Sequence, residues 1–381
     1  MRLLHTSDWH LGKRLYRLER LPEQELFLQE LIALIKREQV DHLILAGDVF
    51  DVPLPPHRAL RLFYDFISQL LRETAASFWV IGGNHDSGAL LDAPTNLIDP
   101  ARVHLFGGLR ENIQEHWVKL APDLTLGLLP YFRAHELARW APGEEMAAAL
   151  RKFLQHAPAA GGKLLCAHHL FGLFEAAGSE QALALSGLDS IPLEWLQGLD
   201  YVALGHIHKA QTLKKSAPLV RYCGSPLPLR FSETTAKGVE LLVWDEGVLQ
   251  HRTLPLTTQR HLVSITTTNS AWRERLSELP KAALPTAVEL ILQLEAPQTG
   301  LIDEIKLYAE AQGLELLSIY PEFLGAQERK TQTHWSTLLN LAPEELFAAF
   351  YAQKYPEAPQ VPDDLLRDLR ELWEEARHAA P

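Results

Sequence analysis

His42-Leu43-Ile44-Leu45-Ala46-Gly47-Asp48 is an apolar run that stops at a glycine and a carboxylate. Four aliphatic residues in a row suit a strand buried on both faces, and Gly47 ends it. The same shape recurs four times. Leu3-Leu4-His5-Thr6-Ser7 leads to Asp8, and Phe78-Trp79-Val80-Ile81 leads to Asn84. Leu164-Leu165-Cys166 leads to His168, and Tyr201-Val202-Ala203-Leu204 leads to His206. Functional residues at the C-terminal ends of strands are the usual arrangement of layered α/β enzymes. The expected fold is α/β: a four-layer sandwich with helices outside two packed sheets.

Helical patterns lie between the first strands. Residues 21–38 carry Pro22, Glu23 and Glu25 at the start and Lys36-Arg37 at the end, with Leu28, Leu31, Ile32 and Ile35 at helical spacing. Residues 57–74 place Leu60, Phe63, Ile67 and Leu70 on one face, beside Leu62 and Phe66. That face suits the core or a self-association surface. After His208, short strands over 219–222, 238–244 and 248–252 are expected to complete the second sheet.

A boundary falls near 255–260. Strands over 262–267, 287–294 and 314–320, with helices over 271–279 and 302–312, make a small α/β domain without a catalytic cluster. The tail is helical over 343–353 and 362–377. Leu346, Phe347 and Phe350 form one apolar cluster; Leu365, Leu366, Leu369, Leu372 and Trp373 form another. A tail this small cannot bury both, so it must dock on the body or on a partner. The expected domains are 1–258, 259–328 and 329–381.

Composition narrows the class. Of 381 residues, 47% are hydrophobic and 22% charged, as in a globular protein. No uncharged apolar run reaches about 18 residues, so no membrane span is expected. The N-terminus lacks a signal-peptide pattern. Two cysteines, Cys166 and Cys223, argue against a disulfide framework and for a reducing cytoplasm. The net charge of −12 argues against a protein that coats nucleic acid, yet leaves room for an enzyme whose bound cations meet the phosphate. Residues 341–381 alone hold nine acids against four bases. Residues 13–20 are basic instead, and Lys13, Arg14 and Arg17 are candidate phosphate contacts.

Asp8, His10, Asp48, Asn84, His168, His206 and His208 offer oxygen and nitrogen donors suited to two divalent metal ions. Asp-x-His and His-x-His at period two put both side chains on one face of an extended chain, aimed at one point. The absence of a thiolate cluster disfavours a closed structural zinc site. Manganese, iron, magnesium and catalytic zinc all fit. Asp48 is the natural bridging carboxylate, because Gly47 lets backbone and metals come close. His85, adjacent to Asn84, points elsewhere and is the candidate catalytic group, with Asp86 to orient it. Either histidine of Ala167-His168-His169 could ligate; His168 is taken because it comes first.

The set DxH…GDxxD…GNHD…H…GHxH, from Asp8 through His208, resembles the motifs of calcineurin-like metallophosphoesterases. His5-Thr6-Ser7-Asp8-Trp9-His10-Leu11-Gly12, Gly47-Asp48-Val49-Phe50-Asp51, Asp200-Tyr201-Val202-Ala203-Leu204-Gly205-His206-Ile207-His208 and Tyr222-Cys223-Gly224-Ser225-Pro226 with Phe231-Ser232-Glu233 narrow the likeness. Together they are similar to the bacterial nuclease subunits of this family, relatives of the archaeal and eukaryotic double-strand-break repair nuclease, over nearly the whole chain. The resemblance implies a capping domain and a C-terminal helical segment behind the sandwich. It also implies one manganese on Asp8, His10, Asp48 and His208, another on Asp48, Asn84, His168 and His206, and His85 assisting departure of the 3′ oxygen after hydroxide attack. The implied activity is exonuclease on duplex DNA ends and endonuclease on single strands and hairpins, in DNA repair and recombination. The implied partners are a coiled-coil ATPase, docked on the C-terminal helices, and a second copy joined through 57–74 and 90–98. Asp51 departs from the histidine of the archaeal and eukaryotic branch, so no role transfers to it. A small-molecule phosphodiesterase and a non-enzymatic scaffold are the alternatives, and the complete ligand set argues against the scaffold.

Overall fold

In a computed structural model of the chain, Leu3 and Leu4 leave the Arg2–Thr6 strand on opposite faces, and both are fully buried. That alternation builds the layers. Leu3, Ile44 and Ile81 of one sheet meet Leu126, Leu164 and Tyr201 of the other in a shared core. Leu4, Leu43, Leu45, Phe78 and Val80 face outward beneath helices Leu21–Glu38 and His57–Glu73. On the far side, Leu165, Ala167, Val202 and Leu204 pack against Leu150 and Phe153 of helix Met146–Gln155. The result is the four-layer α/β sandwich.

The structure describes residues 1–133, 136, 140, 146–175, 190–324, 347, 348, 351, 360–362, 365–367 and 369. They fall into two units, Met1–Phe323 and Leu324–Pro381. Phe347, Leu366 and Leu369 are helical within the second. Leu346, Phe350 and Trp373 lie outside the described residues. No described helix is long and apolar enough to cross a membrane.

The first sheet runs Val248–Pro255, Gly238–Asp245, Arg2–Thr6, His42–Ala46, Ser77–Ile81, Val103–Phe106. The last four strands are parallel, and the first two are antiparallel. The second runs Gln211–Lys214, Leu219–Tyr222, Tyr201–Leu204, Gly162–Ala167, Leu124–Leu129, Trp117–Ala121. Of the strands expected after His208 to complete this sheet, Leu219–Tyr222 does so, beside Tyr201–Leu204, and the other two are corrected. Gly238–Asp245 returns to pair with Arg2–Thr6, and Val248–Pro255 follows it as a hairpin. Leu124–Leu129 and Trp117–Ala121 take their places in the second sheet.

Three parallel strands, Leu262–Thr268, Ala287–Leu294 and Glu315–Phe323, form a third sheet with helices Trp272–Ser277 and Leu301–Ala311. Buried charges tie it to the sandwich. The Arg260 guanidinium donates to Glu23 Oε1 at 2.7 Å and to the Pro285 carbonyl at 2.5 Å. Arg20 donates to the same Glu23 carboxylate at 3.1 Å.

Trp9 joins fold to site. Its ring stacks on Phe78 (5.9 Å) and meets Phe66 edge-on (5.1 Å), while Nε1 donates to Thr6 Oγ1 at 3.0 Å. Replacing Trp9 with Ala empties this position, and a loss of about 3–5 kcal/mol in urea denaturation is expected. Trp9→Phe should recover most of it.

Candidate metal centre

Asp8, Asp48 and Asn84 follow strands of the first sheet; His168 and His206 follow strands of the second. The two sheets therefore bring them together where their parallel strands end. His10 Nε2 lies 3.2 Å from His208 Nε2 and 3.5 Å from Asp48 Oδ2. Asn84 Oδ1 lies 3.1 Å from His168 Nε2 and 2.8 Å from His206 Nδ1, and His168 Nε2 is 3.4 Å from the same Asp48 Oδ2. Donors held at about 2.0–2.2 Å by one cation sit about 3.0–3.5 Å from each other, so these spacings fit two metal positions that share Asp48. Asp8, His10 and His208 form one cluster, and Asp48, His168 and His206 form another.

The backbone is shaped for this convergence. Asp8, His10, Asp48 and His206 have φ of 53°, 45°, 50° and 89°. The extended-chain argument for Asp-x-His and His-x-His is therefore corrected: left-handed residues, not strand alternation, aim these side chains. His206 and His208 moreover face different clusters instead of one point. Two glycines are obligatory by contact. A Cβ on Gly47 would stand 2.2 Å from His168 Nδ1, and one on Gly83 would stand 2.1 Å from Asp48 Oδ1.

A second ring of groups orients the first. His168 Nδ1 bonds the Ala46 carbonyl at 2.7 Å, and the His206 N–H donates to Asp8 Oδ1 at 2.9 Å. The His85 N–H donates to Asp48 Oδ1 at 2.9 Å, leaving Oδ2 for the metals. Glu233 Oε1 lies 3.4 Å from His208 Nδ1, and Asp51 Oδ1 lies 3.4 Å from His10 Nδ1. Carboxylates behind ligating imidazoles fix the ring and raise its basicity. The Gln24 amide donates to the His10 carbonyl at 2.7 Å and accepts from the Gly12 N–H at 3.0 Å, clamping the loop.

Electrostatics follow from burial and neighbours. Burial alone would raise the Asp48 carboxyl and lower His168, but their mutual attraction prevails. Asp48 is held well below the usual carboxylate range, and His168 is pushed up to about 9. Burial, then the charge on His168, lowers His206 to about 3. Burial and the nearby Asp48 charge raise Asp86 to about 6, against three backbone N–H donors.

Asp86 was expected to orient His85, and the structure corrects this. Its carboxylate accepts from the N–H groups of Gly83, Val49 and Phe50 at 2.9–3.0 Å, pinning two loops. The His85 ring is oriented by the Asp51 carbonyl, 2.8 Å from Nδ1. Of the two adjacent histidines, His168 faces the donors, while His169 packs on Tyr131 and Phe132. Lys13 sits at the rim, 2.8 Å from Asp51 Oδ1, and Arg14 and Arg17 are exposed on the following hairpin. His10, Asp51 and His85 also cluster, but the Lys13 ammonium on Asp51 makes that spot unfavourable for a third cation. Sequence reasoning missed Asp51, Glu233 and Gln24 as site residues. Glu233 stands within the motif Phe231-Ser232-Glu233, but no spacing rule links it to His208.

Residues 1–210 match the calcineurin-like phosphoesterase family. Residues 259–355 match a second family, described as the type 5 capsule protein repressor C-terminal domain. The chain is 34% identical over 272 residues to the SbcD component of nuclease SbcCD from Bacillus subtilis, covering 65% of this chain and 70% of that one. It is 32% identical over 308 residues to SbcD of Escherichia coli K12, covering 74% and 76%. For SbcD of Rhodobacter capsulatus the identity is 31% over 389 residues, covering 92% and 94%. Fold, donor set and sequence together make the chain a member of the calcineurin-like phosphoesterases, and hence a metal-dependent phosphodiesterase. Within them it belongs to the SbcD family of nuclease components.

Two measurements probe the centre. In the metal-free chain His168 keeps its proton up to pH of about 9, whereas a ligand must be neutral. Manganese affinity should therefore rise with pH and level off near 9, with proton release visible by calorimetry in buffers of different ionisation enthalpy. Glu233→Gln should weaken one of two manganese equivalents by about 10–100-fold and spare the other.

Proposed function

We propose that this chain is the DNA nuclease component of a complex with an SbcC-type coiled-coil ATPase. It removes nucleotides from duplex ends and cuts single strands and hairpins, in DNA repair and recombination. The observation that carries this reading is the single Asp48 oxygen lying between His10 and His168, with the half-exposed His85 beside it. The metals, when bound, supply an activated water and charge neutralisation on the phosphate oxygens. Manganese is the proposed ion: the mixed carboxylate, amide and imidazole donors suit it.

The chain's own residues do the rest. His85 Nδ1 is 2.8 Å from the Asp51 carbonyl, so that nitrogen carries its proton and Nε2 is turned to the substrate. A protonated His85 donates to the 3′ oxygen as the phosphorus–oxygen bond breaks. His10 and His85, with ring centroids 4.8 Å apart, place that donor beside the metals. Lys13, Arg14 and Arg17 hold the backbone phosphates flanking the cut.

Residues 1–258 form the phosphodiesterase body, 259–328 a capping domain and 329–381 the segment that docks the ATPase. Phe347, Leu366 and Leu369 fit that role as apolar residues on its helices. A homodimer forms through His57–Glu73 and residues 90–98, where Leu97 is 88% exposed. The buried, unbridged Cys166 and Cys223 suit a reducing cytoplasm.

The test is degradation of an end-labelled linear duplex by the purified chain in manganese, with an EDTA control. Loss of nucleotides only with metal supports the reading. Turnover of a small diester, with DNA left intact even when the ATPase is added, would sink it. His85→Gln should slow DNA cleavage by about 10²–10⁴-fold while both manganese ions still bind.

A further inference from the structure

A cleft of about 440 Å³ opens between the hairpin that follows His10, the loop around Phe231 and the third sheet. Lys13, Arg14, Tyr16, Arg230, Phe231 and Glu289 line it. Its volume lies within the range of sites that bury a small ligand. Both sandwich walls are tied to the His10 and His208 side of the metal centre. Lys13 bonds Asp51, which stands behind His10, and Glu233, two residues from Phe231, stands behind His208. The cleft is thus linked to His10 through Asp51 and to His208 through Glu233.

Tyr16 is the unusual member. It is 48% exposed, yet its backbone holds φ at 54° and its hydroxyl is anchored twice. It donates to Glu289 Oε2 at 2.8 Å and meets the Tyr320 hydroxyl at 3.0 Å. An exposed ring fixed from both ends is a preorganised flat surface, and strained backbone of this kind gathers at functional sites. Phe231 borders it, with ring centroids 6.3 Å apart. Arg14 and Arg230 are exposed on the sandwich side, whereas the wall from the third sheet carries the Glu289 carboxylate. That polarity suits a nucleotide with its phosphate toward the arginines and its neutral base toward Tyr16 and Glu289. A second phosphate against Glu289 would be repelled.

We propose that this cleft binds the base of one unpaired nucleotide next to the scissile phosphate, stacked on Tyr16. A base paired inside a duplex has both faces covered by its neighbours, so a base splayed from the stack is the one that can lie on Tyr16. The cleft therefore selects frayed ends and single strands over intact duplex. The inference rests on the nuclease reading, and its test is kept separate from it.

The experiment crosses two changes in the full chain: Tyr16→Ala, and an abasic analogue at each nucleotide flanking the cut in a single-stranded oligonucleotide. Cleavage in manganese and equilibrium binding in EDTA are both read. In the wild type, removing the base at one flanking position should cost about 5- to 100-fold, the worth of one stacked base. In Tyr16→Ala the same removal should cost nothing further, and Tyr16→Phe, which keeps the ring but loses its hydroxyl anchors, should restore part of the difference. Equal abasic losses in wild type and Tyr16→Ala would overturn the proposal. So would Tyr16→Phe behaving as Tyr16→Ala, since the ring itself would then contribute nothing. The binding arm, run with the abasic analogue at each position of the oligonucleotide in turn, decides the matter even if no DNA is cut, and absence of cutting by the wild type counts against the nuclease reading alone.

Discussion

Asp48 places one carboxylate oxygen between His10 of one donor cluster and His168 of the other, and the surrounding loops are arranged to hold it there. Oδ1 is taken by the His85 N–H, which fixes the plane of the group and leaves Oδ2 between His10 and His168. Burying such a charge costs several kcal/mol unless opposite charge and hydrogen bonds surround it. His168, pushed up by its attraction to Asp48, supplies that charge in the metal-free chain, and bound cations would supply it otherwise. Asp86 stands outside the donor clusters. By gathering the N–H groups of Gly83, Val49 and Phe50, it locks the loop after Asp48 against the loop that carries Asn84 and His85.

The cost of this arrangement appears in the backbone. Four of the candidate ligands sit at positive φ, a conformation worth about 1–3 kcal/mol of strain per residue outside glycine. It persists because the loops lean on one another. The Asp8 N–H donates to the Gly47 carbonyl at 3.1 Å, His10 to Asp48 at 3.0 Å and Leu11 to Val49 at 2.9 Å. Trp9, sealed between those donors in a cage of aromatic rings, turns the loop into part of the core. The site is therefore rigid before substrate arrives, which is what electrostatic catalysis requires.

Much of this was legible in the sequence, for a physical reason. Strands buried on both faces leave continuous apolar runs, and His42–Ala46 and Tyr201–Leu204 declare themselves that way. The donor residues stand next to those runs, so their convergence could be inferred. Trp117–Ala121 lies at a sheet edge with mixed burial and gave no such signal. The pairing of Gly238–Asp245 with Arg2–Thr6 spans most of the chain, and nothing local encodes it. The backbone conformation at Asp8, His10 and His206 was hidden too, because tertiary contacts impose it on residues that do not favour it. The supporting roles of Asp51 and Glu233 went unseen for a related reason: groups that support a ligand are chosen by proximity in space, not by spacing along the chain.

Glu23 and Gln24 are neighbours in the first turn of one helix, and they face different tasks. Gln24 grips the loop of His10, while Glu23 receives Arg260 at the entry to the third sheet. The body and the sheet beyond it are therefore poorly suited to being exchanged as independent modules. A foreign domain joined at that point would have to bring its own cation to Glu23 in the same place. Relatives that diverge there should change Glu23 and Arg260 as a pair, and the register of the metal loop would inherit any mismatch between them.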